Sequence, residues 1–362
     1  MPYRRSLVRL CLMLMGVFAL AASPPASAFE FHGFADVSYQ HNIHDNDAVE
    51  NNGAFALGPI DLYVAESLGP RVDVLAEVLL ESGGVDVERL QIGYLFSDAL
   101  KAYIGRFHTA LGYWNTGFHH GTFLYTTIER PFFLSFEDDG GALPTHTVGL
   151  LLSGRRFLPS GELSYSAVVG NGSSVTVEND ANILDPNTEE DPNRNKAVGL
   201  RAAFAPTALH GWALGASAFT NHIINSAPLV PPATTPTLDV DQTILAADLT
   251  NTQGPWEVLA EYYVVRNRDE LVADTFSNHL YYVQIAREFS GLVTPYARHE
   301  QLSLDESDPY WSPFGYTDKR IETVGTRVRV GDQSVLKFEG RFITDDGSDS
   351  HQEYGAQWAF AF

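Results

Sequence analysis

From Phe29 to Phe362 apolar and polar side chains alternate with a period of two in many segments of roughly 8–11 residues, the pattern of strands with two unlike faces. In 334–342 the positions Leu336, Phe338 and Phe342 share one face, and Lys337, Glu339 and Arg341 share the other. In 351–362 the even positions Tyr354, Trp358, Phe360 and Phe362 are aromatic, with Glu353 and Gln357 between them. In 72–81 one face reads Val72, Val74, Ala76, Val78 and Leu80, and the other contains Asp73, Glu77 and Glu81. No long stretch carries apolar residues at helical spacing, and beyond the N-terminal segment no apolar run approaches about 18 residues, which excludes helical membrane spans.

Two solvents explain such ribbons. A soluble sandwich buries its apolar faces against a second sheet, whereas a membrane barrel turns them to lipid and its charges to a wet lumen. Loop lengths separate the two. The alternation predicts strands at about 30–40, 55–66, 72–81, 87–95, 101–107, 146–153, 162–170 and 196–205. It continues at about 212–220, 241–250, 256–265, 278–288, 293–301, 320–330, 334–344 and 351–362. Every second connection is short, as at 67–71, 251–255, 289–292 and 331–333. The intervening ones are often long, as at 41–54, 108–145, 171–195, 221–240 and 302–319. Short turns on one rim and long loops on the other mark an all-β chain, a transmembrane antiparallel up-and-down β-barrel of about 16 strands.

The N-terminus adds an address. Arg4, Arg5 and Arg9 precede an apolar run from Leu10 to Ala22, and Ala26-Ser27-Ala28 supplies small residues before Phe29, the layout of a secretory signal peptide at 1–28. The barrel is then 29–362. The single cysteine, Cys11, lies in the segment removed, so the processed chain needs neither a disulfide nor a thiolate site. Loss of three arginines leaves 20 basic against 45 acidic side chains, a charge of −25. Such a surface repels phosphate backbones, so no nucleic-acid partner is expected.

The opening strand Phe31-His32-Gly33-Phe34-Ala35-Asp36-Val37-Ser38-Tyr39 and the terminal Trp358-Ala359-Phe360-Ala361-Phe362 resemble those of Gram-negative outer-membrane porins. The segment Gly105-Arg106-Phe107-His108-Thr109-Ala110-Leu111-Gly112-Tyr113-Trp114-Asn115 with Phe118-His119-His120-Gly121 is similar to a stretch in poorly characterised porins of this kind. The resemblance implies residence in the cell outer membrane, among its lipid and lipopolysaccharide, and recognition of Phe362 by the barrel-assembly machinery. It leaves open whether three barrels associate as a homotrimer. It also implies that the longest loop, the 38 residues of 108–145, folds inward and narrows the pore.

That loop combines aromatic bulk with polar heads. His108, His119, His120, Glu129, Arg130, Glu137, Asp138 and Asp139 are the constriction candidates, and Arg106, Arg201, Arg327, Arg329, Lys337 and Arg341 are candidates on the inward wall. Loop carboxylates opposite wall cations would set up a transverse field that filters solutes. The bland alternative is that inward charges pair only to fill the lumen, and that Asp138-Asp139-Gly140-Gly141 is a turn. His108, His119, His120 and His146 could surround a borderline metal ion, although adjacent histidines on an extended chain point to opposite faces. Acidic loops, with Asp45, Asp47, Glu50, Glu178, Asp180, Asp185, Glu189, Glu190, Asp191, Asp305, Glu306, Asp308, Asp318, Asp345, Asp346 and Asp349, are either solvated or hold Ca²⁺ or Mg²⁺.

Neither a nucleophile elbow nor a metalloprotease helix motif is present, so no enzyme chemistry is expected, a rim-sited hydrolase being the weaker third reading. The expected function is passive diffusion of small hydrophilic solutes or ions through a water-filled channel with weak cation preference. The alternative is a narrow or plugged barrel that binds a metal or partner through its acidic outer loops.

Overall fold

The computed structural model describes residues 32–44, 52–81, 83–118, 121–135, 141–186, 195–346 and 350–362. The expected leader, 1–28, lies outside the described residues. The first strands are β1 (His32–His44), β2 (Asn52–Leu57), β3 (Ile60–Ser67), β4 (Val72–Glu81), β5 (Gly84–Ser97) and β6 (Leu100–His108). A short helix, α1 (Tyr113–Gly117), precedes β7 (His146–Leu158), β8 (Gly161–Gly170), β9 (Ser174–Glu178), β10 (Ala181–Asp185) and β11 (Ala197–Pro206). The second half contains β12 (Trp212–Ile224), β13 (Asp239–Asn251), β14 (Trp256–Asp269) and β15 (Asp274–Arg287). It ends with β16 (Val293–Ser303), β17 (Lys319–Gly331), β18 (Ser334–Asp345) and β19 (His351–Ala361).

Neighbours along the chain pair antiparallel in a meander, and β19 returns to β1 to close the sheet. Gly33 and Phe362 exchange backbone hydrogen bonds of 2.9 and 3.0 Å at that seam. Strands β2 and β3 both pair with β1 and are one strand interrupted at Gly58-Pro59, where proline has no N–H to give the ladder. The β9–β10 hairpin stands apart from this ladder. The result is a closed barrel of sixteen strands, and each strand range expected from alternation overlaps one of them.

Alternation sorts the two faces. Outward positions carry a band of exposed apolar side chains, including Leu90, Ile104, Leu200, Leu214 and Trp358. A band of this extent is uncharacteristic of a protein surrounded by water and is what a lipid-facing barrel wall requires. The buried apolar cluster lies on the other side of the sheet, inside the barrel. There Leu259, Tyr263, Leu280 and Tyr282 of β14 and β15 meet Val175 of β9, Leu229 and Leu238 of the segment 225–238, and Tyr310 and Trp311 of the segment 304–318. The lumen is therefore not uniformly wet: beside β12–β16 it is packed by aromatic and aliphatic side chains. The expectation of solvated acidic loops is corrected here for Asp308. Its Oδ2 accepts from Asn267 Nδ2 at 2.8 Å and Asn278 Nδ2 at 2.7 Å, both on inward faces of the wall.

Candidate functional site

The long loop between β6 and β7 enters the barrel and is tied to the wall mainly through its own backbone. Gly112 turns it with φ of 70°, a conformation natural to glycine, and donates its N–H to Ser217 Oγ at 3.1 Å. Helix α1 then begins against Glu261, whose carboxylate accepts the N–H groups of Tyr113 at 2.9 Å and Trp114 at 2.6 Å. The same carboxylate accepts from the hydroxyls of Tyr263 and Tyr282. Asn115 Nδ2 reaches the carbonyls of Thr109 and Thr145 at 2.9 and 2.8 Å, drawing the two ends of the loop together.

Further along, two wall carboxylates repeat the device. Glu339 on β18 accepts the N–H of Ile128 at 2.9 Å, and Glu300 on β16 accepts that of Phe132 at 2.6 Å. Wall cations take the carbonyls. Arg298 donates to the carbonyls of Glu129 and Arg130 at 2.9 and 3.1 Å and to Thr127 Oγ1 at 3.1 Å. Lys337 Nζ, fully buried, donates to the carbonyls of Thr122 and Thr127 and lies 4.7 Å from the centre of the Tyr125 ring. Charge-assisted hydrogen bonds are the strong kind, and buried ones lock geometry. Trp114 and Phe133 complete the seat by packing on Tyr282 and Tyr263 at ring separations of 5.8 and 5.7 Å. Burial keeps the Tyr125 hydroxyl above its ordinary pKa, hence neutral.

The loop does not fill the whole section. Between it and the wall of β1, β17, β18 and β19 lies a cavity of about 600 Å³. Its loop side carries Glu129 and Arg130, and its wall side carries Asp36, Arg341, Glu353 and Gln357. Arg341 is ion-paired with Glu353, and Glu129 accepts from Gln40 Nε2 at 3.2 Å. Asp36 accepts from Thr122 Oγ1 at 3.0 Å and Gln357 Nε2 at 3.1 Å. Lys319, near the long-loop rim, lines this cavity and a second one of about 330 Å³ that also contains Phe314 and Tyr316. On the short-turn side, beneath α1, a separate cavity of about 580 Å³ is lined by Lys101, Arg201 and Asp248 among others.

Of the residues singled out from sequence, Glu129, Arg130 and Arg341 therefore meet at one opening. Lys337 does not line it; its charge is spent on loop carbonyls beneath Tyr125. Arg327 likewise faces the loop, 5.7 Å from the Phe123 ring centre. Arg201 is paired with Asp248, Arg329 with Glu288 at 3.3 Å near the short-turn rim, and Arg106 lies 3.9 Å from Glu88. That last group arises from an irregularity of the β4–β5 register at Glu77 and Val78, which leaves Glu88 as an extra residue, buried like its neighbour Arg89. His108 and His146 face each other with ring centres 5.2 Å apart, and His146 lies 3.6 Å from Glu88.

His119, His120, Glu137, Asp138 and Asp139 lie outside the described residues, as do Asp45, Asp47, Glu50, Glu189, Glu190, Asp191 and Asp349. Among the described residues no three His, Cys, Asp or Glu side chains are grouped so as to hold a metal ion. Sequence reasoning missed the anchors Glu261, Arg298, Glu300 and Glu339. For the three glutamates the one signal is an inward carboxylate on each of the alternate strands β14, β16 and β18.

No family model matches the chain, and no curated protein matches it in sequence. Solved structures match its fold over nearly its full length. An anion-selective porin from Comamonas acidovorans superposes with a TM-score of 0.63 at 10% identity, covering 92% of this chain and 99% of the other. The outer-membrane channel DcaP of Acinetobacter baumannii gives 0.61 at 12% identity, with 94% and 100% covered. OmpF of Salmonella typhi, in complex with daunomycin, gives 0.59 at 12% identity, with 92% and 97% covered. At such low identity the shared property is the fold, and the fold of this chain is that of the outer-membrane porins.

Proposed function

We propose that the chain is an outer-membrane diffusion channel for small hydrophilic solutes or ions, with a weak preference for cations. The supporting observation is the cavity between the anchored loop and the β17–β19 wall. Its polar lining offers water a route past the apolar packing beside β12–β16. Carboxylates of Asp36, Glu81, Glu129 and Glu353 border that route against Arg130, Lys319 and Arg341. Arg341 and Lys319 are neutralised by Glu353 and Asp345, so the balance of charge is negative. A negative field in a low-dielectric passage favours cations. No bond is made or broken.

The packed half of the lumen favours a second reading, a narrow barrel that acts by binding rather than by conduction. Planar-bilayer recordings separate the two. Conductance with a reversal potential on the cation side in a salt gradient supports the channel. A silent bilayer containing correctly folded barrel would reject it, and anion preference would reject the selectivity.

A further inference from the structure

The cavity between the loop and the β17–β19 wall contains a buried carboxylate that no described side chain neutralises. Asp36 lines it and is 7% exposed. Neutral donors hold both of its oxygens, Thr122 Oγ1 on Oδ1 at 3.0 Å and Gln357 Nε2 on Oδ2 at 3.1 Å, and among the described residues it has no ion pair. The charges around it answer one another instead. Arg341 and His351 lie against Glu353, Lys319 pairs with Asp345, and Arg130 stands beside Glu129 on the loop. Lys337, opposite Gln357 in the β18–β19 register, donates to the carbonyls of Thr122 and Thr127, and Glu339 on the same face of β18 offsets its charge. No surplus cation is left among the described lining residues, where Glu81 adds one more carboxylate. Gln357 is itself 5% exposed, and with its N–H₂ group turned to Asp36 its Oε1 has no hydrogen-bond partner among the described residues.

A carboxylate held away from water is costly until a cation joins it, and a buried amide oxygen without a partner lacks a donor. A primary ammonium group supplies both, one positive charge and three N–H donors on a single small head. The same cavity of about 600 Å³ is also lined by Tyr125, Ile128, Ile321 and Ile343. An inorganic cation gains nothing from such a wall, whereas a carbon chain or ring is removed from water against it. We propose that this cavity binds an organic primary ammonium ion, its head donating to Asp36 and to the amide oxygen of Gln357 and its carbon body lying against those apolar side chains. The proposal names a solute class for the channel described above and rests on that reading for passage, while the binding itself is measurable without conduction.

The test is isothermal titration calorimetry on the full barrel folded in detergent at neutral pH, with three probes: benzylammonium, benzyl alcohol as the same body without the charge, and ammonium as the head without the body. The wild type should bind benzylammonium saturably and each of the other two at least about tenfold more weakly, on the scale of one hydrogen bond to a charged group. Asp36→Asn keeps the size of the side chain and should weaken benzylammonium by about tenfold to a hundredfold while leaving benzyl alcohol unchanged. Glu322→Gln, which removes one charge from the outward face, should bind as wild type. Equal binding of benzylammonium and benzyl alcohol by the wild type overturns the proposal without recourse to any variant, and so does equal binding of ammonium. An Asp36→Asn barrel that folds and binds benzylammonium undiminished assigns the head elsewhere and also overturns it. Planar-bilayer recordings on the same preparations keep the two readings apart: binding with silent bilayers rejects the channel alone, and conduction without binding rejects this proposal alone.

Discussion

Glu261 on the barrel wall accepts the backbone N–H of Trp114 on the inward loop at 2.6 Å, joining residues 147 positions apart in the chain. Its carboxylate also receives the N–H of Tyr113 and the hydroxyls of Tyr263 and Tyr282. Glutamine at this position offers one carbonyl to the same donors and turns an N–H₂ group toward them. Each buried donor left unpaired costs about 1–3 kcal/mol, so Glu261→Gln should loosen α1 from the wall while the strand ladder persists. Single-channel traces of the variant should show larger and noisier conductance. Unchanged traces would mean that this carboxylate does not hold the loop.

Gly112→Ala acts on the same joint by sterics. A Cβ at this position would lie 2.0 Å from Tyr263 Oη and 2.2 Å from Glu261 Oε2, and φ of 70° disfavours any other residue. The expected outcome is the same loosening, with heat-resistant migration of the barrel on gels retained. Gly69→Ala is the control, since its position has positive φ but open space around it. If both variants behave alike, backbone strain rather than the wall contact is responsible.

Lys337→Met keeps the length and bulk of the side chain and removes its donors from the carbonyls of Thr122 and Thr127. Orphaning these acceptors should cost about 1–3 kcal/mol each and free the middle of the loop. Ion selectivity, read as reversal potential, should move little, because this cation does not line the opening. A strong shift toward cations would return Lys337 to the pore wall.

Docking of the segment 304–318 should depend on pH through Asp308. Burial raises its carboxyl above the ordinary value, against hydrogen bonds from Asn278, Tyr310 N–H and Asn267, with Asp305 adding to the rise. The folded chain thus keeps the proton over a range in which an unfolded aspartate, with a pKa of about 3.9, has lost it. Docking is strongest below the unfolded value and weakens as the pH rises through the folded one. Amide protection at Leu304 and Tyr310, corrected for intrinsic exchange, should fall over that interval. Asp308→Asn should flatten the dependence, and persistence of the full slope in that variant would assign it elsewhere.

The strands were legible because a lipid-facing wall imposes one chemical rule on every second residue, and because turns sort by length between the rims. Even 212–220 and 293–301, where the pattern is weakest, fall within β12 and β16. The interior was less legible. An inward Lys337 or Arg327 has the same sequence signature whether it faces water or a backbone carbonyl, and carbonyls carry no residue type. The hairpin β9–β10 and the segment around Tyr310 and Trp311 read as long outer loops, and only the three-dimensional arrangement shows them packed within the barrel. The break at Gly58-Pro59 was masked because both halves share one partner strand. Glu129, Arg130 and Arg341 were found from sequence; Asp36 and Glu353, which complete the opening with them, were not proposed as its lining.

The central claim is that solutes pass between the loop and the β17–β19 wall, and residues 29–362 contain no cysteine to confuse a chemical test. Glu353→Cys, treated during planar-bilayer recording with a bulky cationic methanethiosulfonate, should lose most of its conductance as the adduct fills the cavity, whereas Ile244→Cys on the packed side should not respond. Full conductance after complete modification at position 353 would place the path elsewhere and contradict the account.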